Sequence, residues 1–348
     1  MRVHSKIASV LLLLGASMSI FADDCGVPGA IVGKLDKKKI DLKARFFQDG
    51  SIAVRARLSV NPDGGPGSYT VGDHGFTYIA NGLSAWRNGK RHECDIPCSK
   101  EFRKAESKGF ETGTTEFCVF AMEVEPLEPG RGLVSCGDGR LVIGNGKGKP
   151  KLGGMLDTVT GKQVRSYVST TSSRHTIEGV VQHLDSETLP IAVTPRTDLL
   201  GKVVWIGGTG YRSTYAIIGD KGPAFGEGSI ALHQLLRTGV ISEQKSGPIA
   251  LEDRCGAGEL GLRPPFQSRP DRPSDKCRPG YTAKSPSDIR AYTGIIEELD
   301  FVVLGDAKFQ MDGRIITEAV SAESIKSTAD KAGYTKEAID KMLACLPR

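Results

Sequence analysis

Residues 215–232, YAIIGDKGPAFGEGSIAL, decide how this chain is read. A short apolar run ends on Asp220, a Gly/Pro loop follows, and Glu227 stands just before a second apolar run. The β-branched residues and closing glycine predict a strand over 215–219. SIALHQLLRTG at 229–239 repeats its apolar residues at helical spacing and stops at Gly239, which predicts a short helix. The two carboxylates at the edges of the loop have two readings. Asp-x-Gly-Pro is an ordinary turn sequence. The same placement also projects an acid and a base into one groove.

Outward from this stretch, the chain is a series of short strands. FCVFAMEV (117–124), GRLVIGN (139–145), VRSYVSTTS (164–172), LPIAVTP (189–195) and KVVWIGG (202–208) each have strand length and composition. FFQDGSIAVRARLSV at 46–60 holds a strand, a turn at Asp49-Gly50, and a second strand alternating Ile52, Val54, Ala56, Leu58 and Val60. Turn-separated strands of this size point to a barrel or sandwich and away from a parallel α/β sheet. The cluster NPDGGPGSY at 61–69 holds Asp63 and Tyr69 in a fixed loop. There is no internal repeat and no low-complexity tract.

The chain opens MRVHSKIASVLLLLGASMSIFADD. Arg2 and Lys6 precede an apolar core from Ile7 to Leu14, and small residues lead to Ala22. This predicts a secretory signal peptide over residues 1–22, with a core too short to cross a bilayer. The expectation is therefore an exported protein, secreted or periplasmic, with no membrane anchor after cleavage. The 8 cysteines all lie beyond the signal, and an even number in an oxidising compartment predicts disulfides. Cys94 and Cys98 near His92 suggest zinc, but no second ligand pair follows, so disulfides are preferred. With 46 Lys and Arg against 41 Asp and Glu the chain is mildly basic, and no arginine-rich stripe interleaves with aromatics, so no nucleic-acid partner is expected.

Four segments result: the signal over 1–22, a catalytic β domain over 23–250, a Pro/Arg-rich irregular segment over 251–286, and a helical appendage over 287–348. In the last, TEAVSAESIKSTADKAGYTKEAIDKMLACL predicts two short helices, the first starting at Ser321 or Ser324 and the second at Thr335.

Several familiar motifs are missing from the sequence, among them HExxH, GxSxG and a Walker loop. GNGKGKPK at 144–151 lacks the glycine-to-lysine spacing of a phosphate loop and reads as a basic hairpin turn. His233 on the predicted helix reads as a core or surface residue. The pair Asp220 and Glu227 remains. Glycoside cleavage needs one protonated carboxyl for the leaving oxygen and one ionised carboxyl to activate water or attack the anomeric carbon. Phe225 and Ile230 near Glu227 would desolvate it and raise its pKa, as a general acid requires. Asp220, beside Lys221 and the Gly222 amide, would stay ionised and suit the base. On local pattern alone the turn reading is favoured.

The wider context reverses that preference. GDKGPAFGEGSIALHQLL (219–236) resembles the active-site signature of the glycoside hydrolase family 75 chitosanases, where a strand ends in Gly-Asp and Gly-Glu-Ala-Ser-Ile opens a helix. LSVNPDGGPGSYTVGDHGFTYIANG (58–82), YVSTTS (167–172) and LDSETLPIAVTP (184–195) fit the same family in the same order, so the resemblance spans roughly residues 46–240. It implies endo-acting, inverting hydrolysis of β-1,4-linked glucosamine polymers by an Asp/Glu pair, without metal or cofactor. Asp220 matches the family's aspartate and Glu227 its glutamate. Asp63 and Tyr69 fall in its Asp-Gly-Pro segment near the cleft and are assigned to substrate binding. Tyr215, heading the Asp220 strand, is a further candidate substrate contact. Gly228 stands where Ala is usual, the loop between the carboxylates is short, and the tail from about Cys255 has no counterpart.

The same stretch resembles double-psi β-barrels, including rare lipoprotein A-type lytic transglycosylases and family 45 endoglucanases. The expected fold is thus mainly β: a six-stranded double-psi-like barrel with loop insertions and a short C-terminal helical segment. The expected partner is a polysaccharide, chitosan-like first. Against this, chitosan is polycationic and the chain is mildly basic, so an anionic polymer such as peptidoglycan suits its net charge better. A peptidoglycan-cleaving hydrolase or lytic transglycosylase, and a non-catalytic carbohydrate-binding or inhibitor-like protein, stand as alternatives. The presence of both carboxylates argues against the last.

Overall fold

The computed structural model describes residues 25–35, 38–72, 83–93, 96–137, 139–157, 161–241 and 294–347. The signal segment, the Pro/Arg-rich segment, Cys94, Cys255 and Cys277 lie outside the described residues. The main sheet has strands β1 (Val27–Leu35), β2 (Lys38–Phe46), β3 (Ile52–Val60), β4 (Ile191–Thr194), β5 (Lys202–Gly208), β6 (Tyr211–Lys221), β7 (Glu227–Gly228) and β8 (Ile295–Lys308). Their order is β1-β2-β3-β7-β4-β6-β5-β8, and a further β8–β3 pairing closes the last six into a barrel. Two of its pairings are parallel, β4 with β6 and β7 with β3.

The alternation in β3 turns Ile52, Val54, Ala56 and Leu58 into the barrel. They meet Val204 and Ile206 of β5, Ala216 and Ile218 of β6, and Phe301 and Val303 of β8. Each fully buried Val, Ile, Leu or Phe side chain among these contributes about 1.5–3 kcal/mol of transfer free energy. Residues of opposite parity, Ala53, Val203, Ile217, Val302 and Leu304, form a second core outside the barrel with Ile325, Ala329 and Ile339. Those three belong to helices of the tail.

The expected helical appendage over 287–348 is therefore corrected. Residues 295–308 form the longest strand of the sheet, paired with both β3 and β5, and the barrel does not close without them. FVVLG at 301–305 is a continuous apolar run because the strand is buried on both faces, and such a run carries no period-2 signal. The two tail helices do form, over Ala322–Lys331 and Lys336–Ala344. Ser321 caps the first through a capping box with Ser324, and Thr335 caps the second.

Besides the packing of its helices, a disulfide and hydrogen bonds hold the tail on the barrel, among them one from Arg55 Nη1 to the Pro347 carbonyl at 2.7 Å. Cys25 and Cys345 form a disulfide. Arg45 Nε donates to the Cys345 carbonyl at 3.0 Å. Tyr334 Oη donates to Asp49 Oδ2 at 2.7 Å and accepts from the Asp306 amide at 3.1 Å. A second disulfide joins Cys118 and Cys136. Both are compatible with an exported protein. No helix among the described residues is long and apolar enough to cross a membrane.

Between β3 and β4 the chain builds a separate layer. A helix over Ile96–Ser107 packs on a four-stranded sheet of Lys90–Glu93, Leu83–Arg87, Phe117–Val119 and Leu141–Ile143. Its core centres on Phe102, in edge contact with Phe110, Phe117 and Tyr167. The strands predicted over 117–124 and 139–145 are shorter than expected, 117–119 and 141–143. The one predicted over 164–172 spans Lys162–Tyr167, and the chain beyond it runs to the barrel's rim.

Candidate active site

The predicted strand and helix around the opening stretch are both present. β6 runs through the glycine to Asp220 and Lys221, and a helix spans Ile230–Thr238 with Ser229 as N-cap and Gly239 in the left-handed conformation as its stop. The loop between them brings the two carboxylates onto one stretch of sheet. Asp220 is in register with Val193 from one side, and Glu227 is in register with Val193 from the other. Residues in register share a face, and two strand spacings place their Cα atoms about 10 Å apart. A bulge between Ala192 and Val193 matters here: it skips Gly219 and brings Asp220 opposite Val193. Without that slip the aspartate would be out of register with the glutamate.

Two glycines make the loop possible. Gly226 has φ +105°, and a side chain there would place its Cβ 2.5 Å from the Arg57 carbonyl oxygen. A Cβ on Gly222 would lie 2.7 Å from Val193 Cγ1 and 3.3 Å from Glu227 Oε2. The short loop thus runs directly over the glutamate.

Asp63 joins the pair from the turn after β3. Its amide donates to Asn61 Oδ1 at 2.8 Å, an Asx turn, and Gly65 N donates to the Pro62 carbonyl at 3.0 Å. Tyr69 Oη donates to Asp63 Oδ1 at 2.9 Å. Ser186 Oγ holds the same turn by donating to the Pro62 carbonyl at 2.6 Å, and Ser169 Oγ by accepting from Gly64 N at 2.9 Å. Asp63 and Tyr69 are therefore fixed beside Asp220 by a segment distant in sequence.

The three carboxyls have different surroundings. Asp220 Oδ1 accepts three hydrogen bonds: from Ser172 N at 2.8 Å, Ser172 Oγ at 2.7 Å and Lys221 N at 2.8 Å. Its Oδ2 accepts one, from Asn61 Nδ2 at 3.3 Å. Burial raises its pKa, and these donors oppose the rise by favouring the ionised form. Glu227 has no such compensation. Burial and the nearby Asp220 charge push its pKa up to about 7. Asp63 is pushed well above the usual carboxylate range by burial and then by Asp220, the Tyr69 hydrogen bond opposes this, and Glu227 adds to it. Burial and the Asp63 charge raise Tyr69 in turn.

The arrangement can hold one carboxyl protonated at neutral pH beside one equipped to remain ionised, which is the requirement for acid/base chemistry. Phe225 and Ile230 are both buried, Phe225 in edge contact with Phe301 at 5.1 Å between ring centroids. The Gly222 amide, expected to serve Asp220, donates instead to the Thr194 carbonyl at 3.1 Å. Its place is taken by Ser172. Among the described residues, no group of three His, Cys, Asp or Glu side chains is arranged to hold a metal ion.

Tyr215 is not brought to this cluster. It pairs with Trp205 across β5 and packs with it against the outer core under the tail helices, and Asp330 of the tail acts on its hydroxyl. The bulge leaves both on one face of the sheet, but Asp220 lies five residues further along the strand, about 16 Å away. The strand residue assigned to substrate therefore belongs to the tail interface. His233 is a core residue, with Nε2 at 3.2 Å from the Ser59 carbonyl.

Asn61 and Ser172 are the residues that sequence reasoning missed. Ser172 closes the YVSTTS segment, but it is 48 residues from Asp220, and a lone serine or asparagine near a turn has no pattern that marks it as a partner. Comparison of the chain with protein-family models and with curated proteins gives no match.

Proposed function

We propose that the protein is an exported glycoside hydrolase that cleaves β-1,4 linkages inside chitosan-like glucosamine polymers with inversion. Glu227 is the general acid that protonates the leaving oxygen, and Asp220 is the base that activates water. The observation that carries this reading is the pairing of both residues with Val193 in contrasting environments, Glu227 uncompensated and Asp220 hydrogen-bonded. A Cα separation of about 10 Å leaves room for a sugar and a water between the side chains, as inversion requires. The parallel β4–β6 and β7–β3 pairings within a six-stranded ring support a double-psi-like connection of the barrel.

The mildly basic chain was an objection to a cationic substrate, and the site's own charge answers it. The charges acting on Asp63 are those of Asp220 and Glu227, and the charge acting on Glu227 is that of Asp220. A polymer of glucosamine ammonium groups suits that concentration of carboxyls, whereas the carboxylates of peptidoglycan would be repelled from it.

The test is incubation of purified protein with chitosan oligomers and, separately, with peptidoglycan, using wild type, Glu227→Gln and Asp220→Asn. Wild type is expected to cleave the chitosan oligomers, with the first product carrying the α-anomer by proton NMR, and both variants to lose nearly all turnover with the fold intact. Undiminished activity in either variant removes that residue from its role. Cleavage of peptidoglycan alone moves the substrate to the bacterial wall. Saccharide binding without turnover by wild type identifies a carbohydrate-binding protein.

A further inference from the structure

We propose that Ser172 is the positioning residue of Asp220: it keeps the carboxylate ionised and commits Oδ1 to the protein, leaving Oδ2 as the oxygen that takes a proton. The inference rests on the acid/base reading of Asp220 for its functional meaning, but its geometry stands independently. Two of the three donors to Oδ1 come from this one residue, its amide at 2.8 Å and its hydroxyl at 2.7 Å, and the third is Lys221 N at 2.8 Å. Two lone pairs facing three donors leave Oδ1 without spare acceptor capacity. Oδ2 holds a single longer bond, 3.3 Å from Asn61 Nδ2, and keeps a lone pair for an incoming O–H.

The hydroxyl of Ser172 has a second task. While donating to Asp220 it accepts from Lys221 N at 3.0 Å, so it bridges the carboxylate and the backbone that follows it. This fixes the carboxylate plane relative to β6. The segment carrying Ser172 is itself rigid. Thr171 N donates to His183 Nδ1 at 3.1 Å, Thr171 Oγ1 donates to the Ser173 carbonyl at 2.7 Å, and Ser173 N donates to the Gly219 carbonyl at 2.9 Å. Gly219 is the residue that the β6 bulge skips. One short segment thus holds both the distorted strand and the side chain that the distortion presents.

The ionisable groups facing Asp220 from neighbouring elements are Asp63 and Tyr69 of the turn after β3, and Glu227 of β7. Burial opposes ionisation of Asp220, which makes neutral donors such as the serine hydroxyl the means of keeping it charged. Charge-assisted bonds of this kind are about twice as strong as neutral ones.

The experiment compares wild type, Ser172→Ala and Ser172→Thr. The first readout is carbon-13 NMR titration of the Asp220 side-chain carboxyl, assigned by its loss in Asp220→Asn. Ser172→Ala is expected to raise the Asp220 pKa by about 1, and Ser172→Thr, which restores the hydroxyl, to return it to the wild-type value. The second readout is the pH–rate profile on chitosan oligomers. The acidic limb is expected to move up by the same amount in Ser172→Ala, with kcat lowered by up to about tenfold on that limb, at pH below both pKa values, and KM unchanged. A titration unchanged in Ser172→Ala overturns the proposal, whatever the activity. A wild type without turnover overturns the hydrolase reading instead, and the titration still decides the role of Ser172. Should the alanine variant fold poorly, Ser172→Cys keeps the side chain's shape with a weaker donor and is expected to give a smaller upward shift; an unchanged Asp220 pKa there overturns the proposal equally.

Discussion

Two clusters of acids and hydroxyls sit at different places on the barrel, and their tuning is opposite. In the tail anchor, Asp49 accepts from Ser51 N at 2.9 Å, Ser51 Oγ at 2.7 Å and Tyr334 Oη at 2.7 Å. Burial works to raise its pKa, but these donors prevail and hold it below the usual carboxylate value. In the candidate site, Asp63, Asp220 and Glu227 are all raised. The anchor satisfies its charge and lies near the surface, so ionisation stabilises the fold there. The site crowds three carboxyls with too few donors, and ionisation of Glu227 costs stability. The difference teaches where this molecule concentrates strain: beside the bulged strand, where perturbed carboxyls are expected if they react with a ligand.

The most direct way to break the contrast is to remove the acid. Glu227→Gln is expected to lower kcat on chitosan oligomers by a factor of about 1,000 or more, since general acid catalysis contributes about 100- to 10,000-fold. A decrease of less than tenfold in steady-state assays would place the proton donor elsewhere. On the tail side, Cys25→Ser/Cys345→Ser unties chain segments 320 residues apart and is expected to cost about 2–4 kcal/mol in urea unfolding. Activity per folded molecule should persist, because the disulfide does not touch the carboxyl cluster. Loss of activity without loss of stability would show that the two regions are coupled.

The same glutamate variant sharpens the contrast through pH. A Glu227 pKa near 4.5 in the unfolded chain and about 7 in the folded one means that folding favours the protonated form. Stability is lost as pH rises from about 4.5 to about 7, up to about 3 kcal/mol before allowing for partial exposure. Glu227→Gln has no such loss, so it should be the more stable protein at pH 8 and equal to wild type at pH 4. Denaturant midpoints with the same pH dependence in both proteins would remove the inference of a raised glutamate. Asp49 has the opposite sign, with its contribution present above the unfolded pKa and lost as pH falls through its lowered folded value. Tyr334→Phe removes one donor from that carboxylate and the acceptor of the Asp306 amide, and is expected to cost about 1–2 kcal/mol, with no change in the pH–rate profile.

Much of the local structure was legible in the residues. Ser229 and Gly239 bracket the helix after the site, Ser321 and Thr335 cap the tail helices, and KVVWIGG is β5 from end to end. These features depend on neighbours within a turn or on a single strand's composition. The carboxylate pair was legible too, as a loop with an acid at each edge. Tyr215 was misplaced because five strand residues separate it from Asp220, and nothing local in the sequence shows that the tail helices pack over its end of the strand. Residues 295–308 were missed because burial on both faces erases the alternation that marks a strand.

The sequence by itself therefore determined the caps, the turns, the mainly β character and the identity of two carboxyls flanking one short loop. Only the tertiary structure decided which residues surround them. Ser172 reaches Asp220 across 48 positions, Asn61 across 159, and β8 closes the barrel on β3 across more than 200. Pairings of that range are set by the register of a closed sheet and by the fit of two cores, and no local pattern encodes them. The bulge beside Val193 belongs with them, since it depends on the combined geometry of three strands, and it is what sets Asp220 level with Glu227.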